Sequence, residues 1–172
     1  MVRNDLFIKI HHPIIELAQE IPENDNLILM GNHPHKLDPL LINRLSPNIT
    51  FVSDKKDKYD LFIKKMICNL DSQYMGDYAP LFIAILENNI MCIFPEGDIN
   101  NSDELKPFHK GAMKVALRSH AKIMPFAISG SYNLFQNDRL TLKVGEAFET
   151  YNMNEQDLSQ HLKEKIYELK RK

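Results

Sequence analysis

Short apolar runs, separated by longer stretches with helical spacing, limit what this chain can fold into. The runs cover residues 27–31, 49–52, 90–94 and 123–128. Apolar runs of this length without polar alternation are typical of strands buried on both faces, as in parallel sheets. Because strands and helices alternate along the chain, the pattern predicts an α/β fold. We expect a single layered domain with a mixed, mostly parallel sheet flanked by helices.

The same spacing predicts the remaining elements and their grouping. A chain of 172 residues fits one domain with a sizeable core. We divide it into an N-terminal helical segment (1–25), a motif-bearing core (26–148) and a C-terminal helix (152–172). Helices are predicted over 4–20, 39–45, 59–70, 78–86, 108–119 and 155–171, and a half-exposed strand near the sheet edge over 139–144.

Composition excludes some classes of function. The formal net charge of −2, with no basic run interleaved with aromatic residues, argues against nucleic acid as a partner. The two cysteines, Cys68 and Cys92, lie in apolar surroundings without metal-site spacing and are predicted to be reduced core residues of a cytosolic protein. No signal-peptide pattern is present, and no apolar run approaches the ~20 residues of a spanning helix. We expect a soluble protein or one that lies on a membrane.

The loop over 32–39 joins the first apolar run to a predicted helix. His33 stands where the strand should end and Asp38 where the helix should begin, which is where ligands bind in α/β sheets. Asp38-Pro39 also fits an ordinary helix start, because Asp is a preferred N-cap and Pro a preferred first helical residue. That explanation does not account for a His and an Asp flanking one tight turn, close enough for the carboxylate to orient the ring.

These residues resemble the motifs of the glycerolipid acyltransferases, the lysophosphatidate acyltransferase family. The first motif appears as Asn-His-x4-Asp at 32–38 and the third as Phe-Pro-Glu-Gly at 94–97. Residues 106–112 resemble the segment after the third motif, and Ile-Met-Pro at 123–125 the apolar-Pro step of the fourth. The four elements occur in the family's order and at about its spacing, over roughly residues 26–148.

The resemblance implies transfer of a fatty acyl group to the hydroxyl of a lysophospholipid, above all 1-acylglycerol-3-phosphate, in phospholipid synthesis. The donor would be acyl-CoA or acyl-acyl carrier protein, with no metal or organic cofactor. His33 would act as general base directly on the acceptor hydroxyl, while Asp38 would orient its ring and stabilise the imidazolium. No Ser or Cys stands in a nucleophile elbow, and this mechanism needs none.

Acceptor binding is predicted for five residues. By the resemblance, Asn32 and Glu96 would help to place the acceptor, and Lys106 or Lys110 would lie near its phosphate. Gly97 allows close backbone approach, so its amide is expected to contribute to an anion or oxyanion site. Glu96 and the two lysines also have a simpler structural explanation. Glu96 would be a carboxylate at the end of a strand, paired with a nearby lysine, and the two lysines would lie at a solvated helix start.

The chain departs from the family pattern where phosphate should bind. The family usually has Glu-Gly-Thr-Arg, and this chain has Glu-Gly-Asp-Ile at 96–99. The arginine of the second motif is also missing from 70–76. Those arginines are expected to grip phosphate through their planar fork. Either lysines substitute for them, or the acceptor differs from lysophosphatidate.

Two other functions remain open at this point. A relative without activity that binds lipid or acyl carrier would explain the missing arginines. A metal-dependent hydrolase would use His33, His35 and Asp38 as ligands. No further ligands stand out, and a metal site would leave 94–97 unexplained. In the family pattern His35 has no role, and we expect it on the surface.

Membrane contact is predicted for the helix over 59–70, which combines a broad apolar stripe with Lys64 and Lys65. With the lysines of 55–58 it would suit a bilayer with anionic headgroups or, alternatively, dock an acidic acyl carrier protein. A core-facing role is equally open. The helix over 4–20 is expected to pack on the core. We therefore predict a cytoplasmic protein, peripheral on the inner face of the cell membrane.

Overall fold

The computed structural model describes residues 10–22, 26–46, 48–53, 67–69, 90–133, 135 and 138–171. The strands in these ranges are β1 (Ile14–Leu17), β2 (Leu27–Gly31), β3 (Ile49–Ser53), β4 (Ile67–Asn69), β5 (Ile90–Ile93), β6 (Lys122–Ser129) and β7 (Thr141–Val144). The helices are α1 (Asp38–Ile42), α2 (Lys110–Ser119) and α3 (Glu155–Arg171). None of these helices has the length and apolar character that crossing a membrane requires.

The described strands form one sheet in the order β1-β7-β6-β2-β5-β3-β4. Neighbouring strands are parallel except β6 and β7, which are antiparallel. The central strand is β2, in which Met30 lies opposite Ile93 of β5 and Pro125 of β6. A strand paired on both edges and covered on both faces has no solvated side, which explains its uninterrupted apolar sequence. The predicted α/β fold with a mixed, mostly parallel sheet is confirmed.

Alternate residues of β2 enter two separate cores, one on each face of the sheet. Leu27 and Leu29 pack in a cluster that includes Leu41 of α1. Ile28 and Met30 pack in a second cluster with residues of α2 and α3, among them Leu162. The sheet is therefore covered by α1 on one face and by α2 and α3 on the other. The start of α1 is held against the end of β2, where the predicted site lies.

Most predicted elements are present with shifted ends. The strands predicted over 27–31, 49–52, 90–94, 123–128 and 139–144 correspond to β2, β3, β5, β6 and β7, and the helices over 39–45, 108–119 and 155–171 to α1, α2 and α3. The helical spacing of apolar residues in α3 corresponds to a buried stripe, in which Leu158, Leu162 and Ile166 are inaccessible to solvent and Leu169 is partly buried. Cys92 is a free, buried cysteine, as expected.

The helix predicted over 4–20 is wrong at 14–17, which form β1. This strand pairs in parallel with β7, and Ile14 lies opposite Thr141. Its apolar residues happen to follow helical spacing, but Ile15 and Leu17 are exposed in the structure. Pairing with the free edge of β7 decides the conformation, and two β-branched isoleucines suit a strand. Residues 4–9 lie outside the described residues.

The helix predicted over 59–70 is wrong at 67–69, which form β4. This short strand pairs in parallel with β3, and Phe51 lies opposite Ile67. As at β1, pairing with a neighbouring strand decides the conformation, although the apolar residues of this short segment have helical spacing. The remainder of that prediction, the lysines of 55–58 and the helix over 78–86 lie outside the described residues.

Candidate active site

The site is built where three neighbouring parallel strands end. The loop 32–37 follows β2, the turn 94–97 follows β5, and residues 130–132 follow β6. Because β2 pairs in parallel with both β5 and β6, all three carboxyl ends lie at the same edge of the sheet. This edge is where ligands bind in open α/β sheets.

His33 and Asp38 form a buried pair in this place. His33 Nδ1 lies 2.7 Å from Asp38 Oδ2, and the side chains are 3% and 0% exposed. The carboxylate also accepts the backbone N–H of His35 at 2.8 Å on Oδ2 and the hydroxyl of Tyr132 at 2.5 Å on Oδ1. Since an ionised carboxylate only accepts, we assign the proton of the neutral His33 imidazole to Nδ1 and the lone pair to Nε2. In this tautomer Nε2 is the atom able to take a proton.

The His33 ring is also fixed by its other neighbours. It stacks on the ring of Phe94 with centroids 3.9 Å apart and an interplanar angle of 16°. The backbone carbonyl of His33 accepts the N–H of Asn100 at 2.8 Å. The ring is therefore held by groups from the loops after β2 and β5, and its orientation does not depend on Asp38 alone.

Asp38 is not the N-cap that its sequence context indicates. The N-cap of α1 is Leu37, with no side-chain capping bond, and Asp38 is the first helical residue. Its carboxylate turns away from the helix N–H groups toward His33, His35 and Tyr132. The helix-start explanation for this side chain is therefore wrong, because the strong donors around it come from the site.

Asn32 connects two strands through both ends of its amide. Its Nδ2 donates to the carbonyl of Ile128, and its Oδ1 accepts the N–H of Ile128, each at 2.8 Å. The side chain is buried and continues the pairing of β2 with β6 by one step. In the structure this amide supports the loop that carries His33. Direct contact of Asn32 with a substrate stays a prediction.

Glu96 is buried beside the same loop. Its Oε2 accepts Asn100 Nδ2 at 2.6 Å and the backbone N–H of Lys106 at 2.8 Å. Oε1 is buried as well and has no hydrogen-bond partner among the described residues. The ammonium of Lys106 donates instead to the carbonyl of Ile99 at 3.1 Å. Glu96 is therefore not the lysine-paired carboxylate of the simpler explanation.

Gly97 has a conformation that requires glycine. Its φ is +72°, and a Cβ there would lie 2.5 Å from the imidazole of His109. Its N–H donates to the carbonyl of Phe94 at 3.0 Å, which closes the turn. Lys110 lies further away in the chain, at the start of α2, and lines a groove of about 320 Å³ together with Phe108 and Lys163. The structure brings Glu96 and Gly97 to the His33 loop. Lys110 instead lines the groove between its own helix, α2, and α3.

Tyr132 is a part of the site that the sequence did not reveal, and it packs on His35, which the sequence offered only as a metal ligand or a surface residue. The imidazole of His35 stacks on Tyr132 with centroids 4.3 Å apart, and it is half-buried where we expected a surface residue. Burial lowers the pKa of His35. Burial and the neighbouring Asp38 raise the pKa of Tyr132 far above its usual range. The available signal was the position of Tyr132 just after β6, the strand that neighbours β2.

Asn100 is a further residue of the site without a motif. Its side chain donates to Glu96 and to the carbonyl of Glu104, while its backbone N–H holds His33. It thereby joins the loop after β5 to the loop after β2. A buried asparagine in a loop rich in polar residues has no distinctive pattern, so no sequence signal separates it from Asn101.

In the described part of the chain, no group of three or more His, Cys, Asp and Glu side chains is arranged to hold a metal ion. His33 Nδ1 faces Asp38, and His35 Nδ1 accepts the backbone N–H of Leu37 at 3.2 Å. One ring nitrogen of each histidine in the proposed His-x-His ligand pair, Nδ1, is thus bonded within the loop.

Comparison with known proteins agrees with the family that the chain resembles. Residues 12–129 match the family model Acyltransferase. The chain is 27% identical over 154 residues to a "Probable 1-acyl-sn-glycerol-3-phosphate acyltransferase" of Mycoplasma pneumoniae, covering 81% of this chain and 57% of that protein. It is 24% identical over 132 residues to the 1-acyl-sn-glycerol-3-phosphate acyltransferase of Borreliella burgdorferi, covering 71% and 53%. The chain spans about half the length of the curated relatives it matches.

The fold is shared with a solved structure. The crystal structure of the 1-acyl-sn-glycerophosphate (LPA) acyltransferase PlsC from Thermotoga maritima aligns with a TM-score of 0.69 at 18% identity. The alignment covers 96% of this chain and 77% of that one. The match over 12–129 includes β2, the His33–Asp38 loop and the Glu96 turn. The resemblance drawn from the motifs is confirmed, and the chain belongs to the acyltransferase family.

Proposed function

We propose that this protein is an O-acyltransferase that moves a fatty acyl group from acyl-CoA or acyl-acyl carrier protein to the hydroxyl of a lysophospholipid. The observation that carries the proposal is the 2.7 Å bond between His33 and Asp38, buried at the end of the central strand. The activities named for the Mycoplasma pneumoniae and Borreliella burgdorferi relatives support 1-acylglycerol-3-phosphate as the first acceptor to test.

The proposed reaction is a direct transfer. Nε2 of His33 takes the proton of the acceptor hydroxyl as its oxygen attacks the carbonyl carbon of the thioester. A C–O bond forms, the C–S bond breaks, and the thiolate leaves with the proton returned by the imidazolium. Asp38 stabilises the imidazolium during this interval and keeps the ring in the reactive tautomer. This sequence of steps calls for no cofactor.

Glu96 and Lys106 are proposed to bind the acceptor from the segment after β5, which Asn100 joins to the His33 loop. Among the described residues Glu96 Oε1 is a buried carboxylate oxygen without a partner, which is unusual, and the proposal lets it accept a hydrogen bond from a bound substrate at a group other than the hydroxyl that His33 deprotonates. Lys106 is exposed beside the same turn, so its ammonium is available as a point charge for phosphate where the family has an arginine.

The other predicted binding residues have supporting roles in the proposed site. Asn32 holds the loop of His33 against β6, and the turn at Gly97 keeps Glu96 facing the site. Lys110, at the start of α2, is a more distant cation for an anionic headgroup. Since the proposed acceptor is a lipid, we also propose peripheral contact with the inner face of the cell membrane.

Acyl transfer by purified protein tests the proposal. Wild type, His33→Ala and Lys106→Ala are assayed with acyl-CoA and with acyl-acyl carrier protein against lysophospholipids that differ in headgroup. We expect transfer by wild type and loss of transfer in His33→Ala, with an unchanged circular dichroism spectrum. His161→Ala is the matched control, because this histidine packs on Phe148 from α3.

The acceptor panel separates the remaining outcomes. Transfer to lysophosphatidate that depends on both His33 and Lys106 would show that a lysine substitutes for the missing arginine. Transfer only to another acceptor would mean that Asp-Ile at 98–99, in place of the Thr-Arg of the family, goes with a different substrate. Absence of transfer to every acceptor by folded wild type would overturn the enzyme proposal and leave a lipid-binding or acyl-carrier-binding relative.

A further inference from the structure

Tyr132 reaches the catalytic pair from a distant part of the chain. It follows β6, and its hydroxyl bonds Asp38 across a separation of 94 residues. Building on the proposed acyl transfer, we propose that Tyr132 is a positioning residue: its hydroxyl fixes the Asp38 carboxylate, and Asp38 in turn fixes His33.

The two oxygens of Asp38 have different partners. Oδ2 accepts from His33 Nδ1 at 2.7 Å and from the backbone of His35 at 2.8 Å, whereas Oδ1 accepts from Tyr132 at 2.5 Å. Rotation of a carboxylate about its terminal torsion is only weakly restrained by the torsion itself. A short bond on Oδ1 therefore stops the carboxylate from turning and keeps Oδ2 in line with the imidazole.

Tyr132 is itself well anchored. One face of its ring stacks on His35 with an interplanar angle of 21°, and the ring of His11 approaches edge-on at 5.9 Å. The two bonds between Asn32 and Ile128 hold the end of β6 against the end of β2. Burial and Asp38 raise the pKa of the Tyr132 hydroxyl far above its usual range, so the hydroxyl remains a donor at any pH at which the protein works.

The Tyr132 hydroxyl and the His33 imidazole both donate to the same negatively charged carboxylate, that of Asp38. A donor on one carboxylate oxygen withdraws charge from the other, so it weakens the pull on the Nδ1 proton of His33. Removal of the hydroxyl should therefore change that proton as well as the rate. A tyrosine that only stabilised the fold would change neither the proton nor the turnover of folded protein.

Tyr132→Phe is the direct test, because it removes one oxygen and keeps the ring that stacks on His35. We expect kcat to fall about 10-fold or more with KM near that of wild type, the usual result of losing an outer partner of a site residue. We also expect the low-field proton NMR resonance of His33 Nδ1 to move. Tyr151→Phe is the control, since Tyr151 is exposed and lies after β7.

Site-specific 3-fluorotyrosine at position 132 gives a second measurement that does not disturb packing. Its hydroxyl is a stronger donor, so the Nδ1 resonance of His33 should move in the direction opposite to that in Tyr132→Phe. An unmoved resonance in both proteins would overturn the proposal, and so would an unchanged kcat in Tyr132→Phe. The resonance is recorded without turnover, so it can be measured even if wild type is inactive with every acceptor. That inactivity would overturn the proposed function, and the resonance would still test the role of Tyr132.

Discussion

Asp38 gathers three hydrogen bonds on one fully buried carboxylate. Its donors are the imidazole of His33, the backbone of His35 and the hydroxyl of Tyr132. A buried carboxylate is costly unless donors surround it, and this one is surrounded by groups that also make up the site. Stability and chemistry are therefore linked at this residue.

Asp38→Asn is expected to damage both properties. The new side-chain amide would turn an N–H toward a donor and could not stabilise the imidazolium, so we expect kcat to fall by about 10³- to 10⁴-fold, as in hydrolase triads. A buried donor left without a partner should lower the free energy of unfolding by about 1–3 kcal/mol. Steady-state kinetics and urea unfolding measure the two effects. Asp103→Asn, at an exposed carboxylate, is the control.

Unchanged kinetics together with lower stability would show that Asp38 is structural only. At this scale the sequence predicted His33, Asp38 and Glu96 as site residues, because each belongs to a motif of a few adjacent residues. It did not predict Tyr132 or Asn100. Their roles depend on contacts with side chains far along the chain or in a polar loop, and such contacts leave no local pattern.

β2 and β6 are in close contact at Gly31, the last residue of β2. A Cβ at this position would lie 2.3 Å from the backbone oxygen of Phe126 and 2.4 Å from its ring. Neither atom group is able to move aside cheaply, because Phe126 is buried and lies in the middle of β6. The close contact fixes the spacing of the two strands one residue before Asn32.

Gly31→Ala is expected to push these strands apart. We predict a loss of about 1–3 kcal/mol of unfolding free energy from overpacking, and reduced activity because the His33 loop starts there. Gly111→Ala is the matched control, since a Cβ on that α2 residue would meet nothing within 4 Å. It should gain up to about 1 kcal/mol from higher helix propensity. Equal stability of the two variants in urea unfolding would contradict this view of Gly31.

A helix or strand could be predicted where the burial of its own side chains produces a recognisable pattern of apolar residues. β2, β5 and β6 are buried on both faces, and α3 buries one stripe, so each carries a clear pattern. β1 is an edge strand, and three of its four residues are exposed. Its conformation comes from hydrogen bonds to β7, which its sequence does not encode, and the helix predicted there was wrong for that reason.

The whole molecule is layered, with the site at one edge of the sheet and a core on each face. α3 closes the face opposite α1 through Leu158, Leu162 and Ile166. Sequence predicted this layering, because alternating strand and helix patterns allow few architectures. The order β1-β7-β6-β2-β5-β3-β4 was beyond prediction, since an apolar strand does not specify which apolar neighbour it pairs with.

Leu162→Ala should separate the stability of this layering from the chemistry. Removal of a fully buried leucine side chain is expected to lower the free energy of unfolding by about 2–5 kcal/mol. Turnover per folded molecule should stay at the wild-type value, because no described contact joins Leu162 to the His33 loop. Gln160→Ala, on the exposed face of α3, controls for changes to the helix. A matching fall in kcat of folded Leu162→Ala would show that α3 contributes to the site.

The central position of β2 also has a consequence for the order of events during folding. The bonds between Asn32 and Ile128 join residues 96 positions apart, so the loop of His33 lacks this support until most of the chain is available. Pairings of such long range form slowly compared with local helices. A ribosome-bound chain that ends before β6 would carry the entire His-x4-Asp sequence and still lack the bonds that hold its His33 loop against β6. Activity should therefore appear late in refolding, together with the docking of β6.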